Sequence, residues 1–177
     1  MAVLTSEQYI ESLRKQKPRV FMAGEEVKNI VDHPRFKLGI NNIRVCYECA
    51  NDPKYADLAT TISPYIDERI PRWNHIVANE QDVIAKIRLL RKMGDYLSFP
   101  YRCIGADLLA TTWAVSYDID KKYNTGYHER VINFVKEAQR KDWTIGCAAI
   151  DPKGDRSLRP GKQADPDMHL HIQICSV

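Results

Sequence analysis

The 177-residue chain contains no stretch near the roughly 18 consecutive apolar residues that a membrane-spanning helix requires, and its first residues lack the basic stretch and apolar core of a secretory signal. Those two absences give the expectation of a cytoplasmic protein with no membrane partner. Cysteine is scarce and odd in number, with Cys46, Cys49, Cys103, Cys147 and Cys175 the whole set. Lacking an export signal, the chain is not expected to be organised by disulfides, so the five are expected as reduced thiols or ligands. A surplus of one charge is missing too. There are 26 Lys and Arg against 23 Asp and Glu, a net charge of +3, and the basic residues are scattered among acids. A nucleic-acid face concentrates Lys and Arg, so nucleic acid is set aside as a partner. Internal repeats, a glycine-rich phosphate loop of the P-loop or dinucleotide type, and a nucleophile elbow are absent as well.

What remains is the balance of an ordinary globular protein, 44% hydrophobic and 28% charged, at a length that suits one core. Helical periodicity dominates the first two thirds. Thr5 and Gln8 have capping-box spacing, and Tyr9, Ile10 and Leu13 supply the apolar face of a short helix ending before Pro18. Residues 19–30 read as two short strands in a hairpin or as a packed loop. Apolar residues recur at mixed spacing over 36–50, and Asp52-Pro53 then predicts a new helix over 55–61 with Pro at its start. Residues 81–93 form a clear amphipathic helix, with acids at its start and bases near its end. Residues 103–123 are apolar nearly all round and predict a central helix buried by several neighbours, while 129–143 show a stripe of Val131, Ile132, Val135 and Ala138. After Trp143 the pattern changes. Residues 144–150 are a short apolar run, and 168–175 alternate apolar residues against His169, His171, Gln173 and Cys175, so both read as strands. The expected organisation is a helical domain over 1–143 and the start of a β domain over 144–177. Two strands alone are marginal in water, so they are either a hairpin packed on helices or part of a larger sheet.

Three groups of residues carry possible chemistry. Cys46 and Cys49 form a CxxC, which reads as two small apolar core residues or as half of a metal site, and no second ligand pair has matching spacing. His169 and His171 would share one face of a strand, either as a solvated polar face or as a metal pair. Residues 151–156, Ile150 being followed by Asp-Pro-Lys-Gly-Asp-Arg, sit directly after the first predicted strand. Lys153, Arg156, Arg159 and Lys162 outnumber Asp151 and Asp155 there. The segment is a plain turn or an anion-binding loop built from Arg and backbone amides.

Six stretches taken together carry a resemblance: Leu4-Thr-Ser-Glu-Gln-Tyr-Ile-Glu-Ser-Leu13, Val31-Asp-His-Pro34, Ala50-Asn-Asp-Pro-Lys-Tyr-Ala-Asp-Leu58, Arg102-Cys-Ile-Gly105, Tyr117-Asp-Ile-Asp-Lys-Lys-Tyr123 and Asp151-Pro-Lys-Gly-Asp-Arg156. In these the chain resembles the amino-terminal part of the 4-hydroxyphenylacetate 3-hydroxylase flavoprotein family, and within it the branch that dehydrates 4-hydroxybutyryl-CoA and shifts the double bond of vinylacetyl-CoA. The resemblance implies a mainly α fold, the N-terminal helical domain of an acyl-CoA dehydrogenase-like architecture followed by the first strands of its β domain. It further implies that Asp151, Pro152, Lys153, Gly154, Asp155 and Arg156 lie against FAD, and that Arg102 lines the substrate side, where an acyl-CoA binds. The dehydratase branch also carries an iron-sulfur cluster on two cysteines four positions apart plus a later His and Cys. Cys103 matches the second cysteine, but Phe99 stands where the first would be, and the later pair has no counterpart here. The chain thus reads as an amino-terminal fragment or truncated paralogue, without cofactor when isolated and inactive alone. The rival readings are a fragment of the hydroxylase branch, which Phe99 suits, and a non-catalytic helical binding module or one half of a two-chain or homo-oligomeric assembly.

Overall fold

A computed structural model describes residues 3–146, 155 and 157–162, and the chain divides into two units, Met1–Gly146 and Cys147–Val177. In the first unit, helix α1 (Ser6–Lys15) opens on the expected capping box: Gln8 N–H donates to Thr5 Oγ1 at 3.2 Å and Thr5 N–H to Gln8 Oε1 at 2.9 Å. The hairpin reading of residues 19–30 holds. Strands β1 (Val20–Met22) and β2 (Glu25–Val27) pair antiparallel with Val20 opposite Val27, and the turn is made by Ala23 and Gly24, both at positive φ as a tight hairpin turn requires.

Helix α2 (Pro34–Asn51) starts with Pro at its first position, where the missing N–H costs nothing. It buries Ile43, Cys46, Tyr47 and Ala50, spaced three, one and three apart along one face. The helix expected over 55–61 is corrected to a single turn, α3 (Ala56–Ala59), which Pro53 precedes rather than starts. Thr60, Thr61 and Ile62 are β-branched and leave the helix to form β3 (Thr60–Ile62), paired with β4 (Arg69–Pro71). Arg72 fixes this junction, donating from Nε to Leu58 O at 2.8 Å and from Nη2 to Thr60 O at 2.9 Å. Beyond β4 a 3-10 turn (Arg72–Asn74) and the segment to Ile76 run through the interior, with Trp73, Asn74, His75 and Ile76 all buried.

Helix α4 (Glu80–Gly94) is capped by Asn79, whose side chain accepts from Asp82 N–H at 3.0 Å. Its Leu89 and Met93 are fully buried, each burial stabilising by about 1.5–3 kcal/mol. Helix α5 (Arg102–Tyr123) packs along α6 (Tyr127–Arg140). The reading of α5 as buried all round is wrong. Arg102, Cys103, Ala106 and Leu109 face inward, but Ile104, Leu108 and Val115 are exposed. Helix α6 ends at Arg140, not at Trp143, because Asp142 takes a left-handed conformation at φ 47°.

Among the described residues the core comprises three clusters: Cys46, Cys49, Trp73, Leu89, Met93 and Cys103 with three alanines; Tyr9, Ile43 and Tyr47; and Ile76, Leu109 and Val135. Of the strand expected over 144–150, residues 144–146 are irregular and the remainder lies outside the described residues, as does the strand expected over 168–175. In the second unit, Asp155 Oδ1 accepts from Ser157 N–H at 2.9 Å and Ser157 Oγ at 2.7 Å, and a 3-10 turn spans Pro160–Lys162.

Candidate functional site

The start of α5 is where the matched motif Arg102-Cys-Ile-Gly105 meets the rest of the first unit. Asn42 of α2 holds the approach to it from both sides, donating to Phe99 O at 2.7 Å and accepting from Tyr101 N–H at 3.0 Å. The helix then begins with its arginine turned inward. Arg102 is buried, its Nη2 donates to Asp142 Oδ1 at 2.6 Å and to Trp143 O at 3.3 Å, and its guanidinium lies 4.4 Å from the centre of the Tyr47 ring.

Asp142 is the hub of this junction. Its Oδ1 also accepts from Asn74 Nδ2 at 3.3 Å, its Oδ2 from Leu4 N–H at 3.0 Å, and its carbonyl from the Tyr47 hydroxyl at 2.8 Å. Asn74 O in turn accepts from Gln139 Nε2 at 2.8 Å, and Gln139 Oε1 accepts from Ser63 Oγ at 2.5 Å. Burial pushes the Asp142 carboxyl above its ordinary range, against the pull of Arg102, while the arginine itself is held above its ordinary value by the carboxylate despite its burial. One guanidinium nitrogen, Arg102 Nη1, is buried without a hydrogen-bond partner. Beside the junction a cavity of about 580 Å³ opens between Tyr9, Tyr47, Phe134 and Trp143.

Close approach explains the glycine of the motif. A Cβ on Gly105 would lie 2.2 Å from Ile145 O and 2.9 Å from Ile145 Cβ, so only glycine lets the segment leaving α6 lie directly on α5.

Cys103, one residue along from Arg102, points into the cluster that holds Cys46 and Cys49. All three thiols are free and buried. Burial pushes Cys46 and Cys49 up to about 11 and raises Cys103, so they stay protonated at neutral pH and are poor metal ligands. Phe99 offers no ligand atom, and among the described residues no group of three or more His, Cys, Asp or Glu side chains is placed to hold a metal. The first unit therefore does not fit an iron-sulfur cluster. Of the two readings of Cys46-Tyr-Glu-Cys49, the core reading holds within the described residues. In the loop segment only Asp155 is described, its carboxylate occupied by Ser157; Asp151, Pro152, Lys153, Gly154 and Arg156, like His169 and His171, lie outside the described residues.

Sequence reading does not single out Asp142, Asn74 or Gln139. They lie in three separate segments, and nothing in a polar residue's neighbours announces that it will be buried. His75 is a similar case, buried with Nε2 3.1 Å from Asp82 Oδ2.

Residues 5–174 match the family described as 4-hydroxyphenylacetate 3-hydroxylase N terminal. The chain is 42% identical over 171 residues to the 4-hydroxybutyryl-CoA dehydratase/vinylacetyl-CoA Δ-isomerase of Clostridium aminobutyricum, covering 96% of this chain and 35% of the relative. It is 22% identical to the oxygenase component of 4-hydroxyphenylacetate 3-monooxygenase from Thermus thermophilus, covering 92% and 33%. Among solved structures, an oxygen-tolerant archaeal 4-hydroxybutyryl-CoA dehydratase from N. maritimus superposes with a TM-score of 0.82 at 35% identity, covering 94% of this chain and 33% of that one. The 4-hydroxyphenylacetate 3-monooxygenase oxygenase component solved with FAD and 4-hydroxyphenylacetate gives a TM-score of 0.67 at 21% identity and shares the fold, covering 92% of this chain and 33% of that one. The chain spans about a third of the length of the relatives it matches.

Proposed function

The chain belongs to the 4-hydroxyphenylacetate 3-hydroxylase family, to whose amino-terminal part it corresponds, and from that premise we propose that it supplies the helical third of a cytoplasmic, FAD-dependent hydroxyacyl-CoA dehydratase and Δ-isomerase. The observation that carries this reading is the gap between branches, 42% identity to the dehydratase against 22% to the monooxygenase. Nor does any helix among the described residues have the length and apolarity to cross a membrane.

In this reading Asp151, Pro152, Lys153, Gly154, Asp155 and Arg156 meet the flavin, with Lys153 and Arg156 as its cationic partners. When bound, FAD supplies the electron-transfer capacity on which the reaction draws. The protein's own contribution at the start of α5 is a fixed positive charge. Asp142 and Tyr47 hold the Arg102 guanidinium in one orientation, which leaves Nη1 as the donor for the substrate side. Among the described residues no ligand set surrounds Cys103, so no step of the reaction is assigned to an iron-sulfur cluster on this chain. One edge of a flavin site does not hold a flavin, so the chain by itself is read as inactive and in need of a complementing chain or segment.

The hydroxylase branch is the second reading, favoured by one observation: Phe99 occupies the place of a ligand that only the dehydratase branch needs. Grafting this chain in place of the matched third of the Clostridium relative separates the two. The graft is expected to bind FAD and to isomerise vinylacetyl-CoA, and a graft whose flavin responds to 4-hydroxyphenylacetate and not to the CoA ester would sink the dehydratase reading. The isolated chain is expected to purify without a flavin absorbance band; a near one-to-one band would show that the described third holds the cofactor unaided. Anaerobic incubation with iron and sulfide is expected to leave no bound iron, whereas stoichiometric iron lost on Cys103→Ser would restore the cluster to the mechanism.

A further inference from the structure

All nine tyrosines lie among the described residues, and two pairs of them bring their rings together. Tyr9 and Tyr47 stack in the core, where the Tyr47 hydroxyl serves the Asp142 junction. Tyr55 and Tyr96 meet at the surface. Tyr55 directly precedes α3 and Tyr96 lies two residues beyond α4; their hydroxyls bond each other, with the ring centroids 6.0 Å apart and the planes at 71°. Tyr96 is 55% exposed and Tyr55 half-buried, so a reagent in solution reaches both. Two ammonium groups flank the pair. Lys54 Nζ stands 5.1 Å from the centre of the Tyr55 ring, and Lys92 Nζ, held by Asp95 at 2.6 Å, stands 5.8 Å from the centres of both rings. Hydrogen bonding from Tyr96, and then from Lys54, holds the Tyr55 phenol below its ordinary value, while the bond to Tyr55 raises Tyr96. The proton of Tyr55 therefore leaves first, and a phenolate gives up an electron far more readily than a phenol. Beside the rings a cavity of about 380 Å³, lined also by Val45, Cys49 and Met93, leaves them room to turn toward each other.

We propose that Tyr55 and Tyr96 form an oxidative modification site, at which a one-electron oxidant driven by peroxide joins the two rings into an intramolecular dityrosine. Each phenol loses one electron and one proton, and the two phenoxyl radicals bond through carbons ortho to their oxygens. The ring hydrogens at those carbons then move to the oxygens and restore both phenols. Hydrogen peroxide, acting through a haem peroxidase, takes up the two electrons and two protons and leaves as two waters. Contact between the hydroxyls matters because the ortho carbons sit beside them, so a small rotation of the rings brings the reacting atoms together. The new bond spans 41 residues of sequence and ties the approach to α3 to the connection that leads from α4 to Arg102. Like a disulfide, it removes freedom from the unfolded chain. Neither a flavin nor an acyl-CoA takes part, so the site is independent of the reaction proposed above.

Treatment of the dilute, folded chain with a haem peroxidase and a small excess of hydrogen peroxide tests it. The expected product is a monomer lighter by two hydrogens, with dityrosine fluorescence and one cross-linked peptide pair joining Tyr55 to Tyr96. Tyr55→Phe and Tyr96→Phe are each expected to abolish that pair. Lys54→Gln keeps both phenols and is expected to slow the coupling, most visibly at mildly alkaline pH. Unfolding the chain in urea before treatment is expected to remove the preference for this pair. The cross-linked monomer is expected to unfold at a higher urea concentration than the untreated chain. Coupling spread over exposed tyrosines such as Tyr117, Tyr123 and Tyr127, cross-links formed only between molecules, or no dityrosine at all would overturn the proposal. A Tyr55–Tyr96 cross-link that forms equally well in urea would overturn it too, because the folded contact would then play no part.

Discussion

Two regions of the helical unit invert the usual rule in opposite directions. Around Asp142 charged and polar groups are buried, whereas on α4 and α5 branched aliphatic side chains face water. The difference is one of completeness. At the junction nearly every polar atom has a partner within the unit, from Leu4 N–H to Gln139 Oε1, so the desolvated charges are compensated on the spot. The apolar face is only partly covered among the described residues, its side chains left about 36–49% exposed. A buried polar residue is thus explained by the fold itself, while an exposed apolar stripe points outside it.

The sharpest test of the first half of that contrast removes the charge from Asp142. Asn tolerates the left-handed φ of this position and keeps some of the hydrogen bonds, but it leaves the Arg102 guanidinium buried without a counter-charge. Asp142→Asn is expected to cost about 3–5 kcal/mol, the range for breaking a buried ion pair from one side. Arg102→Met added to it should recover much of that loss, since replacing a buried pair with apolar groups is often close to neutral. Urea denaturation of the two variants decides it, and a loss below about 1 kcal/mol for Asp142→Asn would show that the junction is not a closed network.

Alkaline pH probes the same interior through its thiols. Burial keeps Cys46 protonated up to about 11, whereas the thiol of an unfolded chain ionises near 9. Between those values the unfolded state has released a proton that the folded state retains. Stability is therefore fully present below pH 9 and falls as pH rises toward 11, by about 2–3 kcal/mol from Cys46 at 1.36 kcal/mol per unit. Cys49, also pushed up to about 11, and Tyr9, pushed up to about 12, act in the same direction with smaller weight because they lie nearer the solvent. Denaturation midpoints at pH 8 and pH 11 should show the loss, and Cys46→Ala should flatten it. A midpoint that holds steady to pH 11 would mean that water reaches these thiols.

Gly105 gives a smaller effect and marks how far the sequence was legible. Local signals were readable where local physics decides: the capping box at Thr5 and Gln8, the charges at the two ends of α4, and the stripe of α6 all correspond to observed elements. Resemblance to a family reached further, giving the fold class before any coordinate. What failed depended on distant partners. The helix expected over 55–61 yielded to pairing between β3 and β4, and α5 looked buried all round because its composition cannot say which neighbours are present. Gly105 stood in a matched motif, yet its reason is the Ile145 backbone, 40 residues away in sequence. Gly105→Ala is expected to destabilise by about 1–3 kcal/mol, because the atom its Cβ meets is backbone and the overpacking outweighs the gain in helix propensity. A stabilised variant would show that the segment after α6 lifts away from α5 at little cost.

The smallest expected effect bears on the other half of the contrast. Ile87 is 46% exposed and Leu108 38%, so in the isolated helical unit each already has part of its side chain in water and a charged replacement forfeits only part of a full burial. Ile87→Lys and Leu108→Glu are each expected to lower its stability by about 1 kcal/mol or less. The pair is also expected to improve solubility, because it removes apolar surface that is only partly covered. If the face belongs to a helix that the isolated chain lacks, the same two substitutions become far costlier when that helix is present, as an unpaired charge at a dry interface does. Thermal denaturation of the isolated chain and of the graft into the Clostridium relative, each with and without the two changes, reads this directly. A large loss in the isolated chain would place Ile87 and Leu108 in its core and dissolve the contrast, whereas a far larger loss in the graft would locate the missing contacts on α4 and α5.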